Sequence, residues 1–216
     1  MRDNRADEGR TTLRDAGGAF VFRRDHRLMS VGDAATDVVL LGAGLVKIVL
    51  PDRAGGQPIA GVCGPGELLG DIGAMYAEVR TASVVALSPG HGWRLPADRF
   101  LHLHDQHRSV RDLVHETLRR RQQILDERQV WQTRTLLVRL ARELRFWADR
   151  FGRRTDAGAR VDGLTQEDIA GVLGASRQHV EDELRRLREQ GLIRTARCTF
   201  TVVDPARLDE LIQPDR

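Results

Sequence analysis

Lysine is almost missing from this chain. Lys47 is the sole lysine among 34 Lys and Arg residues. Arginine suits bidentate contacts to phosphate and guanine, but a GC-rich genome produces the same bias, so composition alone names no partner. Cysteine is equally scarce: Cys63 and Cys198 are the only two, and they form no CxxC pair. That argues against a disulfide framework and excludes a four-cysteine iron–sulfur or zinc site within one chain. Long apolar runs are missing too. The longest uncharged apolar stretch, Val38 to Val46, is far too short to span a bilayer. The charged start MRDNRADEGRTTLRD has no apolar core of a secretory signal, so it reads as a mobile tail and the chain as cytoplasmic. No G-x-S-x-G, H-E-x-x-H or P-loop pattern occurs, so no motif supports catalysis. GAGLV (42–46) lacks the third glycine of a dinucleotide fingerprint and reads as a β-turn. His102, His104 and His107 lie close in sequence, but 102 and 104 point to different faces of a helix, so no metal ligand set is assigned.

What is present is an ordinary globular composition, 41% hydrophobic and 30% charged, with a net charge of +3. From Trp131 onward there are 16 Arg against 14 Asp and Glu, so any electrostatic footprint must come from local clustering. Its 216 residues allow one or two domains. From Phe20 to about Leu95, short runs such as AFVF, VVLL, LVKIVL, PIAGVC, ASVVAL and GWRL alternate with Gly, Asp and Pro. They predict a compact β-barrel or roll, with DRAGGQP as a hairpin loop. From Asp105 to Phe151 neither Pro nor Gly breaks a helical reading. Val110, Val114, Thr117, Arg121, Ile124, Arg128 and Trp131 step by four and three along it, which predicts a dimer seam or a single helix lying on the β-domain. Arg121 and Arg128 in such a seam need partners, for which Glu116, Asp126 and Glu127 are the nearest carboxylates. The phase shifts near Gln132–Thr135, where a second helix starts, capped by Thr133 or Thr135. Trp131 and Trp147 read as core or interface anchors, and GRRTDAGARVDG as a polar connector.

Residues 164–193, LTQEDIAGVLGASRQHVEDELRRLREQGLI, carry the clearest signal. Thr165 with Asp168 three residues on forms a capping box. Ile169, Val172 and Leu173 line one helix face, Gly174 sits at a turn, and Ser176 caps a second helix whose buried face is Val180, Leu184 and Leu187. Arg177, Gln178 and Asp182 point outward near its start. Two short helices in this arrangement, followed by the two-stranded IRTARCTFTVVD and a final helix PARLDELI, predict a winged helix-turn-helix that reads the DNA major groove. The acidic run Glu181–Glu183 either places negative charge near a polyanion or, in part, faces Arg185, Arg186 or Arg188 on the same helix.

Three blocks in order, GPGELLGDIGAM…RTASVVAL, a long helix, and LTQEDIAGVLGASRQHV, resemble the catabolite activator protein (CRP/FNR) family of transcription regulators. The resemblance implies an α+β protein: a mobile tail (1–18), a cyclic-nucleotide-binding-type β-roll (19–104), a long dimerisation helix (105–132) and a winged helix-turn-helix domain (133–216). It implies double-stranded DNA, a second copy of the chain and RNA polymerase as partners. It implies no required cofactor, and cyclic AMP or another cyclic nucleotide as effector. The effector residues it suggests are Gly70, Asp71, Ile72, Gly73, Arg80 and Thr81: Asp71 for the ribose hydroxyl, Arg80 for the cyclic phosphate, and amides near Ile72 and Gly73 as further donors. The helix positions that contact adenine in the family correspond here to Ile124 and Leu125, which cannot make those hydrogen bonds. An internal pairing of Arg80 with Asp71 or Glu78 is the alternative to an occupied pocket. The DNA residues are Arg177 and Gln178 as base readers, Asp182 where the family has another arginine, His179 beside them, and Thr165, Gln166 and Ser176 at phosphates. A ligand-independent DNA binder, and a nucleotide sensor whose winged domain binds protein, are the competing readings.

Overall fold

The computed structural model describes residues 3–52 and 58–213. The chain folds into two compact units that divide between Glu127 and Arg128.

The first unit begins with helix α1 (Asp3–Ala16), followed by strands β1 (Gly18–Phe22), β2 (Arg27–Met29), β3 (Asp37–Ala43), β4 (Val46–Val49), β5 (Ile59–Cys63) and β6 (Leu68–Leu69). Then come the short helix α2 (Asp71–Tyr76), strands β7 (Ser83–Ala86) and β8 (Gly90–Pro96), helix α3 (Ala97–Gln106) and the long helix α4 (Arg108–Trp131). The strands form two antiparallel four-stranded sheets, ordered β1-β8-β3-β6 and β2-β7-β4-β5. Each of the six predicted strand runs holds one of these strands. The unbroken VVLL run follows from burial of β3 on both faces. Val39 and Leu41 pack with Phe22, Val46 and Val84, while Val38 and Leu40 pack with Phe100, Val110 and Leu113 of the helices. β4 and β5 pair as a hairpin, and the predicted DRAGGQP loop lies mostly outside the described residues. Gly44 takes φ 86 in the bend between β3 and β4.

Three features differ from expectation. Residues 3–16 are helical rather than a loose tail, and Ala6 and Leu13 are buried. The reason is a small-residue seam: Gly9 comes so close to α4 that a Cβ there would lie 2.4 Å from the Ser109 carbonyl oxygen. Arg10 then bonds both the Gly66 carbonyl (3.0 Å) and Glu116 (3.1 Å). The first half of the expected dimer seam also turns inward. Val110, Val114 and Thr117 are buried, the two valines in the first unit's own core, so they do not form an exposed seam. Finally, the long helix starts at Arg108 rather than 105, because His107 is extended (φ −111, ψ 115) and separates it from α3.

The second unit holds the last turn of α4, then α5 (Leu136–Phe151), β9 (Arg153–Thr155), β10 (Gly158–Asp162), α6 (Gln166–Leu173), α7 (Arg177–Glu189), β11 (Ile193–Ala196), β12 (Thr199–Val202) and α8 (Pro205–Ile212). Its core gathers Leu140, Leu144 and Trp147 of α5 with Leu173, Leu184 and Phe200, the Trp147 and Phe200 rings lying 6.3 Å apart. Thr135 occupies the N-cap position of α5 without a side-chain cap bond. The predicted polar connector is in fact the hairpin β9–β10, which extends the wing into a four-stranded sheet ordered β11-β12-β10-β9. Val161, one apolar residue among polar neighbours, is buried and anchors that hairpin.

Candidate effector pocket and DNA interface

In the first unit, β6 leads into α2 through Gly70, which adopts φ 79. Glycine is required there twice over: the left-handed backbone suits it, and a Cβ would lie 2.4 Å from Nη1 of Arg80. Arg80 is 6% exposed and donates to three protein oxygens. Nη1 bonds the Gly70 carbonyl (3.0 Å), and Nη2 bonds both the carbonyl and the Oδ1 of Asp37. The internal partner is therefore Asp37, not Asp71 or Glu78. Asp37 reaches a second cation through Oδ2, 3.2 Å from Nε of Arg94, whose guanidinium stacks 4.9 Å above the Phe20 ring.

Asp71, 1% exposed, is committed elsewhere. Both its oxygens accept from Arg121 of α4, at 3.0 Å each, and Arg121 also donates to the Leu68 carbonyl. Burial disfavours the charged guanidinium, but the attraction and hydrogen bonds of Asp71 outweigh that and hold the Arg121 pKa above its ordinary value. The fork-to-fork geometry is the strong form of such a pair. It replaces the expected pairing of Arg121 with Glu116, Asp126 or Glu127, because the fold brings Asp71 at the start of α2 within reach of this position on α4. Of the other suggested effector residues, Ile72 and Thr81 are exposed, and Gly73 sits where a Cβ would lie 2.9 Å from Ala35. Ile124 is half-buried, while Leu125 is 53% exposed, so the two do not share one environment. Gly70, Asp71 and Arg80 are thus brought together, with Asp37 and Arg121 as functional candidates that sequence reading missed.

In the second unit the helix-turn-helix is built from local rules. Thr165 and Asp168 form a full capping box on α6, with Thr165 N to Asp168 Oδ2 at 2.9 Å and Asp168 N to Thr165 Oγ1 at 3.1 Å. Gly174 ends α6 at φ 59. Ser176 caps α7 by accepting from the His179 amide (3.2 Å). Val180, Leu184 and Leu187 are buried, while Arg177, Gln178 and His179 of the first turn are exposed. Asp182 is partly exposed and spoken for: it accepts from Arg185 (2.8 Å) and Gln178 (3.4 Å), and Glu183 pairs with Arg186 (3.2 Å). These pairs mask Asp182 and Glu183 of the acidic run. An open groove of about 490 Å³ joins Thr165, Gln166 and Arg177 to the wing residues Arg197 and Thr199. Arg197 is a residue sequence reading missed, visible only once the β11–β12 turn is placed. Burial alone would raise the Asp162 pKa, but bonds from Arg160 and Thr199 outweigh it and hold the carboxyl below its usual range. Trp131 is half-buried, with Arg134 and Arg142 stacked on its ring at 5.8 and 5.6 Å, whereas Trp147 is fully buried.

A family model for the cyclic nucleotide-binding domain matches residues 19–107, and one for the Crp-like helix-turn-helix domain matches residues 138–211. The chain is 25% identical over 189 residues, 87% of its length and 84% of the relative's, to a CRP-like cAMP-activated global transcriptional regulator of Mycobacterium tuberculosis. Among solved structures, a CRP-family transcriptional regulator of Thermus thermophilus superposes with a TM-score of 0.75 at 26% identity, covering 89% of this chain and 96% of that one. FixK2 from Bradyrhizobium japonicum shares the fold at a TM-score of 0.79 and 16% identity, covering 93% of this chain and 99% of that one. Fold and site together define a transcription regulator that joins a cyclic-nucleotide-binding-type domain to a helix-turn-helix DNA-binding domain. The chain belongs to the CRP/FNR family.

Proposed function

We propose that this regulator acts in the cytoplasm as a homodimer that reads a two-fold symmetric operator, with a cyclic nucleotide tuning its grip and RNA polymerase as the downstream partner. The observation that carries the reading is the capped N-terminus of α7, which presents Arg177 and Gln178 outward beside a groove edged by Thr165 and Arg197. Arg177 contacts guanine O6 and N7, Gln178 contacts a neighbouring base, and Thr165, Gln166 and Ser176 hold phosphates. His179 adds a donor in the same first turn of α7. Leu125 and Val130, 53% and 71% exposed on α4, supply apolar surface for the second protomer. Among the described residues no helix is long and apolar enough to cross a membrane. Cyclic AMP is the first effector to test, since the mycobacterial relative is named as cAMP-activated. Any effector works only through different affinities for two states of the dimer.

One observation favours a second reading, constitutive DNA binding: Arg80 and Asp71 are both satisfied by protein groups. Selection of bound duplexes from a random pool, with and without cyclic AMP, tests both. The proposed function predicts an enriched inverted repeat with half-site centres one helical turn, about 10 base pairs, apart, and higher retention with the nucleotide. An enriched repeat indifferent to cyclic AMP, cyclic GMP and a cyclic dinucleotide supports constitutive binding. A pool with no enriched sequence overturns both.

A further inference from the structure

We propose that Asp37 is a built-in competitor for the anion site of Arg80. The inference deepens the effector reading above and rests on it.

To hold a phosphodiester, an arginine needs open N–H donors and a net positive field. Arg80 has neither in full. Three of its bonds go to Gly70 and Asp37, and the Asp37 carboxylate already supplies the negative oxygen that a phosphate would bring. Asp37 is held from the other side as well, by Arg94 at 3.2 Å. Arg80, Asp37 and Arg94 therefore carry a net charge of +1 (two cations less one anion). With a neutral residue at 37 the same cluster would be +2.

An incoming phosphodiester exchanges one charge-assisted bond on Arg80 for another, and it does so against the repulsion of a displaced carboxylate that Arg94 keeps nearby. The exchange gains little for an anion that offers only charge. An effector succeeds by bringing further contacts, which makes Asp37 a filter against simple anions and a setter of the effector threshold. Backbone geometry supports the assignment. Asp37 is the first residue of β3 and Arg80 follows the isolated bridge between Ala34 and Val79, so the pair is set by paired backbone rather than by two mobile side chains.

The test is calorimetric titration of the full-length protein with cyclic AMP and with cyclic GMP, using wild type, Asp37→Asn, Asp37→Ser, Arg80→Gln and Asp37→Asn/Arg80→Gln. Asparagine keeps the size and one acceptor, and serine guards against a packing artefact; thermal melts report whether each variant folds. Both Asp37 variants are expected to bind at least one nucleotide about tenfold or more tightly than wild type, and adding Arg80→Gln is expected to abolish the gain. Tight binding by the Asp37 variants alone, with wild type silent, upholds the competition at Arg80 and shows that Asp37 keeps these two nucleotides out of the native chain. Equal or weaker binding by both Asp37 variants overturns the proposal and leaves effector control standing. No binding by any of the five overturns both. A purely structural Asp37 would lower the melting temperature without any gain in affinity.

Discussion

Glu143→Ala is expected to destabilise the DNA-binding unit by about 3 kcal/mol or more, the range found when one member of a buried ion pair is removed. Glu143 is 4% exposed, and its two oxygens accept from Nε and Nη2 of Arg128 at 3.1 Å each. Arg142 shares the same carboxylate at 3.3 Å. Both arginine side chains are largely buried, so deleting the carboxylate removes an anion that offsets the desolvation of two guanidiniums. For a unit of this size each kcal/mol moves the melting midpoint by roughly 4–8 °C, so a fall of about 12 °C or more follows by calorimetry. Glu143→Gln keeps an acceptor and is expected to fall less. Arg128 belongs to the last turn of α4, and Glu143 to the middle of α5. The pair ties these two helical segments together across the phase shift at Gln132–Thr135, and it gives Arg128 a partner outside the carboxylates its neighbouring sequence offers. A midpoint within about 2 °C of wild type, well under the shift expected from one kcal/mol, would show that the region around Glu143 relaxes around the loss.

Arg177→Ala is expected to weaken operator binding by about 1–3 kcal/mol, or about 5- to 150-fold, the worth of one good bidentate base contact. Binding to random duplex should fall far less, because only one charge is lost from a backbone-tracking surface. The side chain is exposed at the first turn of α7 and lines the groove. The helix itself is capped by Ser176 and packed through Val180, Leu184 and Leu187, so the substitution leaves its supports in place. Fluorescence anisotropy on the selected operator and on a scrambled duplex separates the two effects. Equal losses on both would mean that Arg177 holds phosphate rather than a base.

The helix-turn-helix is legible in the sequence because its determinants are local. A capping box, a left-handed glycine and an apolar face each lie within a few residues of one another, and Thr165, Gly174, Ser176 and Val180 do what their spacing predicts. The strands of the roll are legible for the same reason, since alternation and punctuation are short-range. What escapes is everything set by long-range packing. The Asp37–Arg80 pair spans 43 positions and the Asp71–Arg121 pair spans 50, and no periodicity links them. The seam at Val110, Val114 and Thr117 has the right spacing for either a dimer or an internal core, and only the presence of α1 and β3 beneath it decides. The N-terminal helix is a partial exception. Ala6, Gly9, Leu13 and Ala16 have helical spacing, but a run this charged hides a stripe made mostly of small residues. The β9–β10 hairpin hides behind a polar composition because one buried residue, Val161, anchors it.

The effector half of the molecule carries more internal charge pairing than the resemblance implies. Asp71 and Arg80 stand together as expected, yet each has an intrachain partner, Arg121 and Asp37. The DNA-binding half departs in the opposite sense: Asp182 replaces an expected base reader but, by binding Arg185 and Gln178, becomes a support for its neighbours. Its operator is therefore expected to differ from that of the catabolite activator at the base facing Asp182.

Sequence-specific recognition by α7 is tested most directly by competition. The selected operator, labelled and bound by the wild-type protein, is challenged with unlabelled operator and with random duplex at salt concentrations from about 50 to about 200 mM. Random duplex is expected to compete about 1,000-fold less well or worse at the highest salt, and affinity for both duplexes is expected to fall as salt rises. Competition by random duplex at parity with the operator would contradict base reading by this helix.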